Sequence, residues 1–355
     1  MLASSLRHLR RAAPAALALC SAFALMACFT SSEEKVDLTD FSPVLLSVGQ
    51  NVIYPTYSDL SDKAAALETA VLALDTTVNA GRLNTARAAW RAARAPWEES
   101  EGFLFGPVDT KSIDPSIDSW PLDSLSLKNI LASSTPLTVD YVSGQVDEVK
   151  GFHAIEFLLF GVDSSKNRLN TRELAYAQSA ASYFRLRVDL LKSSWNPAEG
   201  NFLGEFTGAG VTSTYYRSKK AAAEELLEGM LAICDEVANG KISEPFDHGS
   251  DKEESRFSRN STTDFANNIR SVRNVYLGVY GSGSGPGVKA WVLVADSALA
   301  LRAEAEMDSA ISKTEQIGNF SAALSADRPK IAAARTAIQT LMTTLDTDVR
   351  KALFP

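Results

Sequence analysis

Apolar residues return every three or four positions along most of this 355-residue chain, a spacing that builds helices and little else. Between Ser61 and Thr77 the residues Ala64, Leu67, Val71 and Leu74 fall on one helical face. Asn84 to Leu104 reads as a second helix, with Asn84 as its N-cap and Pro96 as an interior kink or break. The same periodicity predicts helices over Ser124 to Ala132, Val146 to Phe160, Thr171 to Ser194, Thr214 to Ala238, Thr262 to Leu277, Val288 to Asp308 and Asp327 to Ala352. Strand signals are thin, and the best of them, Leu137 to Val142, is short. The chain reads as all-α.

A glycine-rich stretch at 200–210 divides these helices into two groups, each large enough for a bundle. The expected organisation is a helical bundle over 45–205 and a second over 211–355. Gly281-Ser282-Gly283-Ser284-Gly285-Pro286-Gly287 follows no strand and lacks a Lys-Ser/Thr ending, so it reads as a helix connector and not as a phosphate loop.

The N-terminus reads as an export signal. Arg7, Arg10 and Arg11 precede an apolar run, Ala15 to Ala27, that is too short to span a bilayer. The run ends in Leu25-Met26-Ala27-Cys28, small residues before a cysteine, as lipoprotein signal peptidase requires. The alternative is an ordinary secretory signal with Cys28 as a bystander. Residues 1–27 are therefore expected to be a lipoprotein signal, Cys28 the lipidated residue, and 28–44 a solvated tether. Phe29 is not the aspartate that commonly retains lipoproteins at the inner membrane, so the outer membrane is expected, facing the periplasm or the cell surface. The roughly 330 residues left after cleavage exceed one comfortable hydrophobic core.

Cys20 leaves with the signal and Cys28 is consumed by lipid, so Cys234 stands alone, without a disulfide framework or a thiolate cluster. Its neighbours Leu231, Ile233 and Val237 predict a buried thiol. A net charge of −8 argues against nucleic acid as a partner, because phosphate binding needs a basic surface.

Histidine is scarce, and that limits the chemistry. Of three, His8 is lost with the signal, leaving His153 and His248. A zincin helix and a three-histidine zinc site are both impossible. Any metal site must be rich in carboxylate, which favours iron, calcium or manganese over a typical zinc centre. His248 lies in a polar loop and is expected to be solvated. His153 opens Gly151-Phe152-His153-Ala154-Ile155-Glu156-Phe157-Leu158-Leu159-Phe160-Gly161, where His153 and Glu156 are the only ionisable groups. Three apart, they share a face of a helix that is apolar elsewhere, so Glu156 needs a partner. A satisfied core pair and a metal or catalytic role are both open on this spacing. Upstream, Trp90, Arg94, Trp97 and Glu101 fall on one helical face, and Asp118, Trp120 and Asp123 follow in a Pro-rich turn.

These segments resemble the imelysin family, also called the M75 peptidase-like family. Gly151-Phe152-His153-Ala154-Ile155-Glu156 fits its Gly-x-His-x-x-Glu motif. Trp97-Glu98-Glu99-Ser100-Glu101-Gly102-Phe103-Leu104-Phe105-Gly106-Pro107, Asp118-Ser119-Trp120-Pro121 and Glu254-Ser255-Arg256-Phe257-Ser258-Arg259-Asn260-Ser261-Thr262-Thr263-Asp264-Phe265 are similar to it in the family's order. The resemblance implies two helical-bundle domains packed side by side with a site near their interface, an envelope location, and a link to iron uptake with its envelope partner proteins. The expected metal ligands are His153, Glu156, Glu101 and Asp123, with iron preferred to zinc or calcium. Arg94, Trp97, Asp118 and Trp120 are expected to support them, and Ser255, Ser258 and Asp264 to close the site from the second half. Some family members are described as metallopeptidases, a role that would make Glu156 a catalytic base; with one histidine available, metal binding without hydrolysis is the leading expectation. A partner-binding bundle with a structural His/Glu pair is the third. Acids converging on His153 would favour metal, and dispersed acids the bland case.

Overall fold

A computed structural model describes residues 40–355; the expected signal, the lipidation of Cys28 and most of the tether lie outside the described residues. The chain is helical as expected. Its first helices are α1 (Ser42–Val48), α2 (Tyr54–Leu72), α3 (Ala80–Glu98), α4 (Pro107–Thr110), α5 (Ile113–Asp118), α6 (Ser124–Ala132), α7 (Val139–Ser143), α8 (Gly151–Phe160) and α9 (Thr171–Trp195). After the glycine-rich stretch come α10 (Phe202–Thr207), α11 (Lys219–Asp235), α12 (Ser243–His248), α13 (Ser261–Leu277), α14 (Val288–Ala295), α15 (Ser297–Glu315), α16 (Phe320–Ala326), α17 (Arg328–Thr343) and α18 (Arg350–Leu353). No helix among the described residues is long and apolar enough to cross a membrane.

Several boundaries differ from expectation for local reasons. Asn79, not Asn84, caps α3, its side chain accepting from Arg82 N at 3.1 Å. Pro96 does not break α3; it lies inside the helix, in the last turn before Glu98. The helix then stops at Glu98, so Glu101 falls in a separate 3-10 turn, Glu101–Phe103. The expected strand at 137–142 is instead α7, because the Thr138 hydroxyl accepts from Tyr141 N at 3.1 Å and starts a helix. Asp296 splits the expected helix at 288–308 by capping α15 through Leu299 N at 2.9 Å. The 281–287 connector is part of a two-residue antiparallel ladder, Val279–Tyr280 with Gly283–Ser284.

The folded body begins ahead of the expected residue 45: Phe41 and Val44 are buried, and the Phe41 ring meets Trp291 and Phe354. Helix α2 packs between α3 and α9, and α15 between α13 and α17. Helix α3 also touches α8 and α13, while α11 packs on the Glu101–Phe103 turn and on α13. Buried apolar side chains form one cluster from Phe41 to Leu353, and the glycine-rich stretch contributes Leu203 and Phe206 to it. Cys234 is buried in this core, and burial pushes its thiol up to about 12. His248 is exposed at the end of α12.

Candidate metal centre

The seam where α3, α8 and α13 meet is not wholly apolar. Arg94, on the buried side of α3, is fully enclosed, and its guanidinium contacts four carboxylates. These are Glu98 one turn on, Asp118 at the end of α5, Glu254 at 2.5 Å in the loop before α13, and Asp264 at 3.4 Å in its first turn. Four carboxylates offset the cost of burying this guanidinium, and three of them tie α5, the loop before α13 and α13 itself to α3.

His153 enters from α8. The helix begins at Gly151 in a left-handed conformation (φ +73°), where a side chain would collide with the Ile117 carbonyl of α5. Its register is held by Trp90, whose indole N–H donates to the Phe152 carbonyl at 3.0 Å. His153 Nδ1 lies 3.1 Å from Glu156 Oε2, and the other Glu156 oxygen accepts from the Ser258 backbone N–H at 2.7 Å. Left-handed residues at Ser255 (φ 53°) and Arg259 (φ 58°) bend that loop so that Ser258 reaches Glu156. On the far side of the ring, Nε2 stands 3.2 Å from Asp118 Oδ1 and 3.5 Å from Glu254 Oε1, without an aligned hydrogen bond to either. Asp118 cannot turn away, because its second oxygen accepts from the Trp97 indole at 2.5 Å. Trp120 covers the imidazole with its ring centre 4.7 Å away.

A second group of acids adjoins the first. Glu98, Glu101 and Asp118 each offer an oxygen within 4.8 Å of the others, and an Asp118 oxygen, a His153 ring nitrogen and a Glu254 oxygen lie as close together. Lys241, at the end of a wide helical turn Glu236–Lys241, places its ammonium 2.8 Å from Glu101, 3.3 Å from Glu254 and 3.6 Å from Glu98. A cleft of about 250 Å³, lined by Glu101, Asp114, Asp118, Glu236, Lys241 and Glu254 among others, reaches both groups.

The electrostatics follow from this layout. Burial alone would raise every acid here. It pushes Glu98 up to about 8, Asp114 to about 7 and Asp264 to about 6, and it holds Glu101 well above the usual carboxylate range. At Glu254 burial is outweighed by Lys241 and Arg94, which keep the carboxyl well below that range; at Asp118 burial is outweighed by Arg94 and His153, which lower the carboxyl. Burial opposes charge on His153, yet the nearby carboxylates of Asp118, Glu156 and Glu254 hold its imidazolium well above the ordinary value. The cluster therefore retains protons, and acids outnumber the cations Arg94, Lys241 and His153.

The structure gathers His153, Glu156, Arg94, Trp97, Asp118, Trp120, Ser258 and Asp264 around one centre, with Ser255 buried in the closing loop. Some of the expected roles change. Glu156 sits on the Nδ1 side of the imidazole and is not in either donor group, whereas Asp118 is in both. Glu101 lies beside Lys241 in the second group and not with His153. Asp123 is not in the cluster: it is exposed, and its carboxylate caps α6 by accepting from Ser126 N at 2.9 Å. Sequence reasoning missed Glu254, Glu98 and Lys241. Glu98 was legible as the residue one turn beyond Arg94.

The imelysin family model matches residues 53–351. Iron-regulated protein A of Synechococcus elongatus is 34% identical over 239 residues, which cover 66% of this chain and 64% of that protein, so the match spans a little under two-thirds of the relative's length. A crystal structure described as an iron-regulated protein A precursor from Parabacteroides distasonis superposes with a TM-score of 0.79 at 27% identity, covering 91% of this chain and 97% of that one. An imelysin-like protein from Psychrobacter arcticum shares the fold, with a TM-score of 0.73 at 13% identity over 90% and 96% of the two chains. With a family model matched across nearly all the described residues and a GxHxxE helix at the centre of its buried acids, this chain belongs to the imelysin family.

Proposed function

We propose that this protein binds a metal ion, iron before zinc or calcium, through Asp118, His153 and Glu254, and that it serves iron acquisition with the ion as cargo. The observation that carries the reading is His153 Nε2, a fully buried ring nitrogen facing two carboxylate oxygens without a hydrogen bond of its own. The three donors lie within 4.8 Å of one another, a span one ion bridges, since ligand bonds of about 2.0–2.2 Å put opposed donors roughly 4 Å apart. One imidazole with carboxylates suits iron or manganese better than a zinc site. The names of two relatives point the same way.

Glu156 and Arg94 support the site without joining it. Glu156 fixes the imidazole through Nδ1, as partners of metal-binding histidines commonly do. Arg94 grips the same Asp118 and Glu254 oxygens that face Nε2 and offsets part of their charge. Hydrolysis needs a free general base beside a polarised water. Both Glu156 oxygens are occupied, by His153 and by the Ser258 amide, so the geometry favours binding over peptide cleavage.

The envelope setting belongs to the same proposal. It rests on the Leu25 to Cys28 motif, and it has the protein anchored by lipid on Cys28, in the outer membrane, beside envelope iron-uptake proteins. Elemental analysis and anaerobic iron(II) calorimetry of wild type beside His153→Ala and Asp118→Asn test the metal reading; undiminished binding in both variants refutes it. Mass spectrometry of the mature N-terminus tests the anchor, and any terminus other than lipidated Cys28 removes it.

A further inference from the structure

The second group of acids carries a cation that is already part of the chain. Glu98 Oε2 and Glu101 Oε2 converge on the same two neighbours. Lys241 Nζ lies 3.6 and 2.8 Å from them, and Asn268 Nδ2 donates to both, at 2.5 and 2.9 Å. Glu98, Glu101 and Asn268 are buried and the Lys241 side chain nearly so, which holds two carboxyl oxygens together away from bulk water. An ammonium solves that problem in one way and a metal ion in another. The Asn268 amide oxygen, fully buried, has no hydrogen-bond partner among the described residues. Half a turn of the amide would present this oxygen, in place of the N–H, to whatever cation sits between the carboxylates.

We infer that Lys241 fills, with its ammonium, a second cation position between Glu98 and Glu101, beside Asp118, and thereby limits the centre to a single metal ion. The inference rests on the metal reading of the His153 group, with which it shares Asp118. A lysine at this position is a tethered competitor at very high local concentration. The wide turn Glu236–Lys241 points it inward from the wall of the cleft, and no other cation is needed there while the side chain stays. Removing the charge but keeping a polar side chain leaves three carboxylates and an amide oxygen facing one another, a donor set for a hard divalent ion.

The test counts manganese(II) bound at saturation, by calorimetry and by the paramagnetic signal of free manganese. Wild type and Lys241→Arg are expected to bind one ion, Lys241→Gln two, and E101Q/K241Q one again. H153A/K241Q separates this inference from the reading it rests on: loss of the His153 group alone leaves one ion bound. If wild type binds none but both K241Q and H153A/K241Q bind one, the His153 reading falls and the Lys241 position stands. If Lys241→Gln folds and binds no more than wild type, the inference is wrong. Should that variant not fold, the charge-balanced E236Q/K241Q is expected to fold and gain the second ion. Failure of both variants to fold even with manganese present also overturns the inference, because a bound ion should replace the missing charge.

Discussion

His153 Nδ1 lies 3.1 Å from Glu156 Oε2, one turn away on α8, and this contact decides which end of the imidazole faces Asp118 and Glu254. With Nδ1 donating to Glu156, the nitrogen left for an ion is Nε2. Glu156→Gln keeps the shape but weakens that orientation, so metal affinity should drop about 10- to 100-fold with the fold intact. Asp118→Asn or Glu254→Gln removes a charged donor and should drop it further. Calorimetry with iron(II) ranks the three; a Glu156 variant weaker than both others would make it a direct ligand. No variant, nor wild type, is expected to cut denatured protein.

The shifted acids set a pH dependence for the metal-free protein. Glu98, Asp114 and Asp264 have folded values raised to about 8, 7 and 6, so between the ordinary carboxylate range and pH 8 the folded state binds more protons than the unfolded chain. Stability must then fall as pH rises through that window. His153 acts in the same direction: its raised value contributes stability that is complete below about 6.5 and is lost as pH climbs through the folded value. Below the ordinary range the sign reverses, because the depressed Glu254 and Asp118 lose their contribution as they protonate. Thermal unfolding without metal should peak near pH 5 and decline towards pH 8. Bound metal should raise the midpoint most at the alkaline end, where it replaces protons. A flat profile from pH 5 to 8 would show that the cluster exchanges no protons on unfolding.

Arg94 is expected to be the most sensitive side chain in the seam. Arg94→Met leaves Glu98, Asp118, Glu254 and Asp264 without their shared cation. Removing one partner of a buried ion pair typically costs about 3–5 kcal/mol, because the remaining charge stays buried. Urea unfolding at pH 7.5 should show a loss of that size, narrowing towards pH 5 as the stranded acids protonate. Arg94→Lys should recover little, since one ammonium cannot reach acids on four sides of a planar guanidinium. A loss below about 1 kcal/mol at pH 7.5 would show that the four acids do not depend on it.

The helices were readable because burial imposes a period, and the acids were harder because loops have none. Arg94, Trp97 and the His153–Glu156 pair lie on helices, and their spacing exposed them. Carrying the face of α3 through to Glu101 was the error that hid Glu98: the helix stops at Glu98, and that residue, four after Arg94, takes the buried place. Asp118 and Asp123 flank the same Trp-Pro turn, and only the three-dimensional path shows that one ends α5 against Arg94 while the other caps α6 in solvent. Glu254 sits beside Glu253 in a loop with no periodic signal. Lys241 depends on a wide helical turn that no apolar spacing announces.

Gly151 ties the family motif to the geometry of the site. The backbone there has φ +73°, and a Cβ would strike the carbonyl of Ile117, the residue just before Asp118. The glycine is what lets the start of α8 approach the end of α5, and that approach sets the 3.2 Å between His153 Nε2 and Asp118 Oδ1. Gly151→Ala therefore meets two penalties at once, a left-handed backbone that alanine disfavours and a collision with main chain that cannot rotate away. The expected loss exceeds about 1 kcal/mol in urea unfolding. Metal affinity should fall with it, because relieving the collision moves α8 from α5 and His153 from its acids. Gly144→Ala is the control: that glycine is exposed with an ordinary helical backbone, and a methyl there meets only van der Waals contacts, so stability should stay within about 0.5 kcal/mol and affinity should not change. Wild-type affinity in a folded Gly151→Ala protein would show that the spacing of α5 and α8 is not what brings His153 to Asp118.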